Sequence, residues 1–399
     1  MFDTVVDRAR LERAMTATAD AIREKTGGTG ALLWSPETGF RAAVGDIAVG
    51  TPPVREKDVN FYDYDGTLLH SYTMEEARAL TALPQLPERN GLICQGWNWS
   101  LDEVKTVDRP TLVAANYDTP DGAAKLRIHT VIDGLTVSLN FYQAVANDIA
   151  VDWGDGSPVE TYGSGGKFSL PHTYSLGGEY TISLSAKSGS FEFGDFSQAI
   201  CSQDVVREVN LGSQVFVVNA YAFNGLRTLE KVSFSQDIAF SGMSIFQNGG
   251  ALRFLALPKN AAAAAGAYFC RWPGALFGVS APKYFSFGVA AFCDAYNLRF
   301  AAIPDGQASV GSTQFRAARA MSRVDFPASV TTIAANAFAN CSAVMVYDFT
   351  RHTSVPTLEA TSAFTGMNGD CEIRVPAALY AEWCAATNWV TYAANMVGV

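Results

Sequence analysis

Residues 324–344 read VDFPASVTTIAANAFANCSAV: a short apolar strand, a proline, a polar turn, then an apolar run closing on Ala-Phe. Twenty-three residues before Phe338 stands Phe315, and the same step reaches Phe292, Phe269, Phe246 and Phe223. A seventh phenylalanine, Phe364, follows Phe338 after 26 residues, as if the last unit were stretched. Other offsets keep the register. Six residues beyond each phenylalanine come Leu229, Leu252, Ala275, Leu298, Met321 and Val344, and eleven beyond come Phe234, Leu257, Ser280, Ile303, Phe326 and Phe349. Pro258, Pro304 and Pro327 occupy the next position, whereas the third unit has its proline one residue late, at Pro282.

A unit this short cannot bury its own apolar face, so equivalent coils stack and bury it together. With neighbouring strands ~4.8 Å apart, each phenylalanine is expected to rest on the next. EKVSF, RFLAL, LRFAAI and SRVDF each have the length and apolar content of one short strand per coil. The pattern of apolar strand, proline and SVTxIxxxAFxxCxxL resembles BspA-type leucine-rich repeats over about residues 205–366. The second and third units depart from it, lacking the isoleucine before the phenylalanine. An exposed solenoid end needs a cover. The C-terminal segment supplies one, with Pro376 suited to a helix start and Leu379, Trp383, Trp389 and Tyr392 to plug the last coil.

Composition fits a sheet-rich, multidomain chain. Of 399 residues, 48% are hydrophobic and 17% charged, the latter below the usual share of about 25%. Lys+Arg and Asp+Glu number 17 and 29 in residues 1–208 but 12 and 10 in 209–399, balances of −12 and +2. No clustered basic excess marks a nucleic-acid partner. No apolar run of about 18 residues predicts membrane insertion. The charged N-terminus has no signal-peptide pattern, and seven scattered cysteines without a C-x-x-C pair argue against a disulfide framework or a zinc site. These features predict folding in a reducing cytoplasm.

The middle of the chain carries two smaller patterns. Trp153-Gly154-Asp155-Gly156 and His172-Thr173-Tyr174, with Gly178 and Tyr180, resemble the polycystic-kidney-disease (PKD) domain, an immunoglobulin-like sandwich, over about residues 124–190. That resemblance implies that His172 holds the sandwich together. Asp152 and Asp155 suggest calcium, but a hard-cation site needs six or more oxygens, so a turn capped by carboxylates is the preferred reading.

NFYDYDGTLLHSY, residues 60–72, has the Asp-x-Asp-Gly-Thr of haloacid-dehalogenase-type phosphatases, with Asp63 as nucleophile and Asp65 as acid/base. That chemistry needs a parallel α/β sheet and further magnesium ligands, and no βαβ rhythm follows. The order of strand, Asp-Gly turn, strand, Pro-x-x-Pro and Gly-Trp instead resembles the internalin B-repeat, a β-grasp-like module. Asp65-Gly66 is then a hairpin turn. Four histidines, His70, His129, His172 and His352, show neither ligand spacing nor a Ser-His-Asp arrangement. Cys270 and Cys293 share an offset in adjacent coils, which predicts a buried thiol ladder rather than a bridge.

The expected fold is mainly β and multidomain. An N-terminal helical attachment or oligomerisation segment covers 1–50, a β-grasp-like module 55–110, a PKD-like sandwich 120–192, the solenoid 200–368 and a helical cap 369–399. The N-terminal stripe Leu11, Met15, Thr18, Ala19 and Ile22 fits a seam between chains and packing on the chain's own β-modules equally well. Between Asp237 and Asp294 no acidic residue occurs. Arg253, Lys259, Tyr268, Arg271, Trp272, Lys283 and Tyr284 in that stretch have the aromatic and basic chemistry of binding hot spots. They form the candidate binding face.

No cofactor is expected. The combination of modules resembles repeat-bearing virion proteins of bacteriophages infecting gut bacteria. That implies a non-enzymatic, homo-oligomeric tail fibre, tail tip or decoration. It would hold other virion proteins through its N-terminal region and a host-surface glycan or protein through the solenoid. A bacterial cell-surface adhesin is the alternative.

Overall fold

The computed structural model describes residues 56–399, apart from 144–147, 164, 202–203, 262–263 and 302. The helix expected within 1–50 lies outside the described residues. The alternating stretch from Val59 forms an antiparallel hairpin, β1 (Val59–Tyr62) and β2 (Leu68–Tyr72). Asp65 Oδ1 accepts the Thr67 amide at 3.0 Å, and Gly66 turns the chain at φ +84°, which only the absence of Cβ makes easy. A Cβ on Gly66 would also lie 2.7 Å from that of Phe254, far along the chain. Helix α1 (Met74–Arg78) begins with a capping box from Thr73 and Glu76, and α2 (Leu101–Lys105) with one from Ser100 and Glu103. Strands β3 (Ile93–Trp97) and β4 (Thr111–Asp118) complete a sheet of order β2-β1-β4-β3, parallel at its centre and antiparallel at both sides.

The next segment builds β5 (Ala124–Thr130), β6 (Leu135–Gln143), β7 (Asp148–Asp152), β8 (Glu160–Gly163), β9 (Gly166–Tyr174) and β10 (Gly178–Ala186). β6 and β9 pair with each other, while β5-β10-β7-β8 run antiparallel in a second sheet. Leu126, Ile128, Val137, Leu139, Phe141, Val151 and Ile182 are buried in the core. His172 stacks on the buried Trp153 ring at 4.5 Å, its Nε2 lies 2.8 Å from Asp155 Oδ2, and Tyr174 donates to the Trp153 carbonyl at 2.9 Å. The Asp152 and Asp155 carboxylates each accept a backbone amide two residues on, so they cap the turn. Among the described residues no group of three His, Cys, Asp or Glu side chains could hold a metal ion.

β11 (Phe191–Phe193), β12 (Val206–Leu211), β13 (Val215–Val218), β14 (Lys231–Phe234) and β15 (Ala239–Phe240) make the junction. β12 pairs antiparallel with β5 and parallel with β14, while β11 pairs parallel with β13 and β13 with β15. The sandwich sheet thus runs into the first coil. That covers an edge which would otherwise expose unpaired backbone groups.

From there the chain is a β-solenoid of about eight turns. One column of strands holds β16 (Phe254–Ala256) and β17 (Gly278–Ser280); another holds β18 (Ser309–Val310), β20 (Thr332–Ile333) and β22 (Thr357–Leu358). A third holds β19 (Arg323–Asp325), β21 (Val346–Asp348), β23 (Glu372–Val375) and β24 (Met396–Gly398), all parallel. Helix α3 (Tyr380–Ala385) and the turn after it bury Trp383 and Trp389, whose rings lie 5.0 Å from Phe349 and 5.7 Å from Phe364.

The ring ladder exists, with one correction. Phe223 stacks on Phe246 at 4.7 Å and 6°. Phe292, Phe315, Phe338 and Phe364 continue the stack at 5.4, 5.3 and 5.5 Å, with interplanar angles of 17°, 7° and 4°. In the third coil the residue that occupies the ladder position is Cys270, not Phe269. Each ladder residue donates its amide to the residue just before the next ladder residue: Phe223 to Ile245, Phe246 to Phe269, Cys270 to Ala291, Phe292 to Gln314. One extra residue before Cys270 shifts the coil. The shift explains the oddities of that unit: Leu276 rather than Ala275 is buried, Ser280 pairs with Ala256 rather than with Leu257, and Pro282 is no longer late. Phe269 turns to meet Phe240, Phe246 and Phe287 instead. Cys270 and Cys293 therefore do not share an offset, since Cys293 falls one residue after its ladder phenylalanine. Cys94, Cys270, Cys293, Cys341, Cys371 and Cys384 are free thiols.

LRFAAI is a second correction. Residues 298–303 form no strand among those described. Phe300 packs with the N-terminal module, and Arg109 Nη2 reaches the Ile303 carbonyl at 3.4 Å. The side-chain contacts across the chain replace the ladder there.

Candidate ligand-binding face

The corner of each coil around the ladder residue is built by alternating backbone handedness. Thr313 and Ala317 flank Phe315 with φ of +53° and +59°. Ala290 and Asp294 do the same for Phe292, Asn336 and Asn340 for Phe338, and Tyr268 and Trp272 for Cys270. Asparagine and aspartate tolerate this region, whereas Thr313, Tyr268 and Trp272 adopt it at a cost. The alternation sends the amides of Thr313, Phe315 and Ala317 to Ala335, Ala337 and Ala339 of the next coil at 3.3, 2.8 and 2.7 Å. The intervening amides of Gln314, Arg316 and Ala318 close turns within their own coil. The hydrogen bonds between coils hold the strained residues in place.

The seven residues expected to form one binding face are divided by the structure. Lys259 and Lys283 meet the N-terminal module: the Lys259 amide donates to Asn116 Oδ1 at 3.0 Å, and Lys283 Nζ lies 2.5 Å from Thr106 Oγ1 and 3.6 Å from Asp305. Arg253 is exposed just before β16, and Tyr284 is exposed with Lys283 Nζ 5.7 Å from its ring. Tyr268, Arg271 and Trp272 come together at the left-handed corner.

Over these coils the N-terminal module covers the strand face of the solenoid. Asn98, fully buried, donates to Ser280 Oγ at 2.9 Å and to the Leu257 and Ser280 carbonyls at 3.3 Å, and accepts the Ala114 amide at 2.8 Å. Trp99 Nε1 reaches the Ala281 carbonyl at 2.8 Å, and the Tyr62 ring lies 4.9 Å from Phe254. The two carboxylates of the phosphatase-like motif serve this packing. Asp63 is sealed from solvent and accepts from Arg89 Nε at 2.7 Å and from the Tyr64 amide at 2.8 Å. Asp65 binds its own turn and lies 3.8 Å from Lys231.

At the corner, Asp294 is the hub. Its Oδ2 accepts from Trp272 Nε1 at 3.0 Å and from Arg316 Nη2 at 2.7 Å, and Tyr296 donates to Oδ1 at 3.3 Å. Burial opposes ionisation of this carboxyl, but the bonds from Cys293 and Trp272 and the Arg316 charge outweigh it and lower its pKa. Burial raises the Cys293 thiol, as it does that of Cys270 far more strongly. Arg271 lays its guanidinium 3.8 Å over the Trp272 ring and 5.2 Å from that of Tyr268. Its Nε–H is buried with no acceptor, and it makes no ion pair among the described residues.

From this cluster an open trough of about 430 Å³ runs along the solenoid, past Thr313 and Arg316 to Asn336, Asn340 and Thr365. Sequence reasoning missed Asp294, Arg316 and the two asparagines. They lie one or two residues to either side of a ladder position, and Arg271 and Trp272 fall into the columns of Arg316 and Asp294 only once the third coil is counted from Cys270.

Residues 194–271 and 284–379 match the family described as the BspA type leucine rich repeat region, in six copies. The solenoid is built of BspA-type leucine-rich repeats. The unmatched residues, 272–283, belong to the shifted coil. No curated protein matches the chain.

Proposed function

We propose that this chain is a non-enzymatic adhesive protein whose solenoid holds a cell-surface ligand. The observation that carries the reading is the open corner: an aromatic and arginine cluster heads a trough on a repeat scaffold, lined by none of the residues that the N-terminal module covers. BspA-type repeats suggest a surface adhesin or repeat protein, and repeat scaffolds bind through extended surfaces.

The finer reading is a bacteriophage virion protein, a tail fibre, tail tip or decoration, attached through residues 1–50. Its support is the modular order. The mixed four-stranded sheet over 55–110 is consistent with an internalin B-repeat-like module. The Trp153, His172, Asp155 and Tyr174 cluster within 120–192 supports a PKD-like sandwich. Solenoid and cap follow over 200–368 and 369–399. Several copies on one particle would raise avidity by roughly 10²–10⁴ without new contacts. The second reading, a bacterial surface adhesin, is favoured by the BspA-type repeats themselves.

Mass spectrometry of purified phage particles and of washed bacterial envelopes separates the two. Peptides of this chain in the particles support the virion reading, and their confinement to the envelope refutes it. Adhesion itself is tested by binding of the labelled full chain to bacterial and host cells. Failure to bind any surface presented at high copy number would refute both readings.

A further inference from the structure

We infer that the trough beginning at Tyr268 and Arg271 is a subsite for an acidic, extended oligosaccharide. This rests on the adhesive reading and names its ligand class. Three observations point there.

The first is charge. Arg271 has a buried Nε–H without an acceptor and no carboxylate partner among the described residues. Arg316 lies in the trough, and Arg319 sits 5.2 Å over the Tyr296 ring. The one carboxylate of the cluster, Asp294, is already held by Trp272 and Arg316. Arg271 and Arg316, two guanidiniums lining the trough against that one carboxylate, leave the site cationic, and a planar guanidinium suits a carboxylate in fork geometry.

The second is the backbone. Every amide from Thr313 to Ala318 is donated within or between coils. A peptide binding as an added strand needs idle backbone donors, and the amides from Thr313 to Ala318 are already donated. What the corner offers are side chains. The Asn336 and Asn340 amides, which present both donors and acceptors, line the floor with Ala290 and Ala339. Such a surface matches the hydroxyls and C–H faces of sugar rings. Trp272 and Tyr296 keep 43% and 50% of their area exposed, enough for a ring face to pack against them.

The third is length and rigidity. The lining spans the coils of Cys270, Phe292, Phe315, Phe338 and Phe364. Four steps of ~4.8 Å give about 19 Å, room for a short linear chain with roughly one sugar per coil. The locked left-handed corners leave little ordering cost on binding.

The test is calorimetric titration of the full chain with three probes: a galacturonic acid hexamer, its methyl ester and hexaglutamate. The acid hexamer is expected to bind, and the ester about tenfold more weakly. Arg271→Gln is expected to lose about tenfold in affinity for the acid hexamer, while Lys187→Gln, at an exposed position just after β10, leaves it unchanged. Equal binding of acid and ester, tighter binding of hexaglutamate, or wild-type affinity in Arg271→Gln would each overturn the proposal. Should Arg271→Gln melt early, Asn336→Asp/Asn340→Asp adds negative charge without touching the arginine. It must also weaken the acid hexamer, and unchanged affinity again overturns the assignment. Cell binding separates this proposal from the broader one. Arg271→Gln that adheres at the wild-type level removes the subsite and leaves adhesion standing. A chain that takes the hexamer but adheres to no cell does the reverse.

Discussion

Replacing Phe338 by alanine removes the centre of the ring ladder. The side chain is fully buried, with Phe315 and Phe364 stacked on its faces at 5.3 and 5.5 Å and Phe326 and Tyr347 edge-on at 5.5 and 5.4 Å. Phe→Ala in a core costs about 3–5 kcal/mol, the sum of lost transfer energy and the cavity left behind. Rings above and below are themselves pinned by their coils, so collapse is restricted and the upper half of that range, about 4–5 kcal/mol, is expected. Phe338→Leu keeps most of the volume and should cost about 1–2 kcal/mol. With a urea dependence of about 3 kcal/mol/M, the alanine variant shifts the midpoint by roughly 1.3–1.7 M. Tryptophan emission is the readout, because Trp389 in the cap packs on Phe364, the next ring. Coupling between neighbouring coils means that the cap transition must move with the ladder. A shift below about 0.3 M, or a cap transition that stays in place, would refute the continuous stack.

Cys270→Phe should destabilise by about 1–3 kcal/mol, since the ladder slot is closed and Phe269 already fills its surroundings; wild-type stability in thermal melts would restore Phe269 to the ladder. Asp63→Asn should lower stability by about 1–3 kcal/mol through the loss of a buried charged acceptor. A magnesium-dependent phosphatase activity that vanished in this variant, without a change in melting, would revive the catalytic reading. Burial raises the Asp155 carboxyl, but bonds from Ser157 and His172 dominate and bring its pKa down to about 2. Its folded value thus lies below the unfolded one of about 3.9, so its contribution is present above that value and lost as pH falls towards 2. Trp153 emission should report an acid transition in that window that is flattened in Asp155→Asn. Ala317→Gly relieves a left-handed alanine and should stabilise by about 0.5–1 kcal/mol, checked by urea unfolding.

The repeat was legible because a ladder is a local rule applied many times. Each phenylalanine needs only its neighbour one coil away, so spacing alone revealed seven units, the strand positions and the aromatic plug from Trp383 to Tyr392. The Asp65-Gly66 hairpin was equally local, set by turn chemistry. Tertiary structure decided what lies between distant segments. Periodicity cannot see the extra residue before Cys270, because phenylalanine still falls at the expected number; the hydrogen bonds between coils set the register. Asn98, Trp99 and Arg109 meet the solenoid across more than 140 positions of chain. No pattern in 56–118 announces that they cover the strand face and separate Lys259 and Lys283 from Arg271. The binding corner is what remains open after that packing. Its chemistry was written in the residues, but its location depended on which apolar surfaces found one another first in space rather than in sequence.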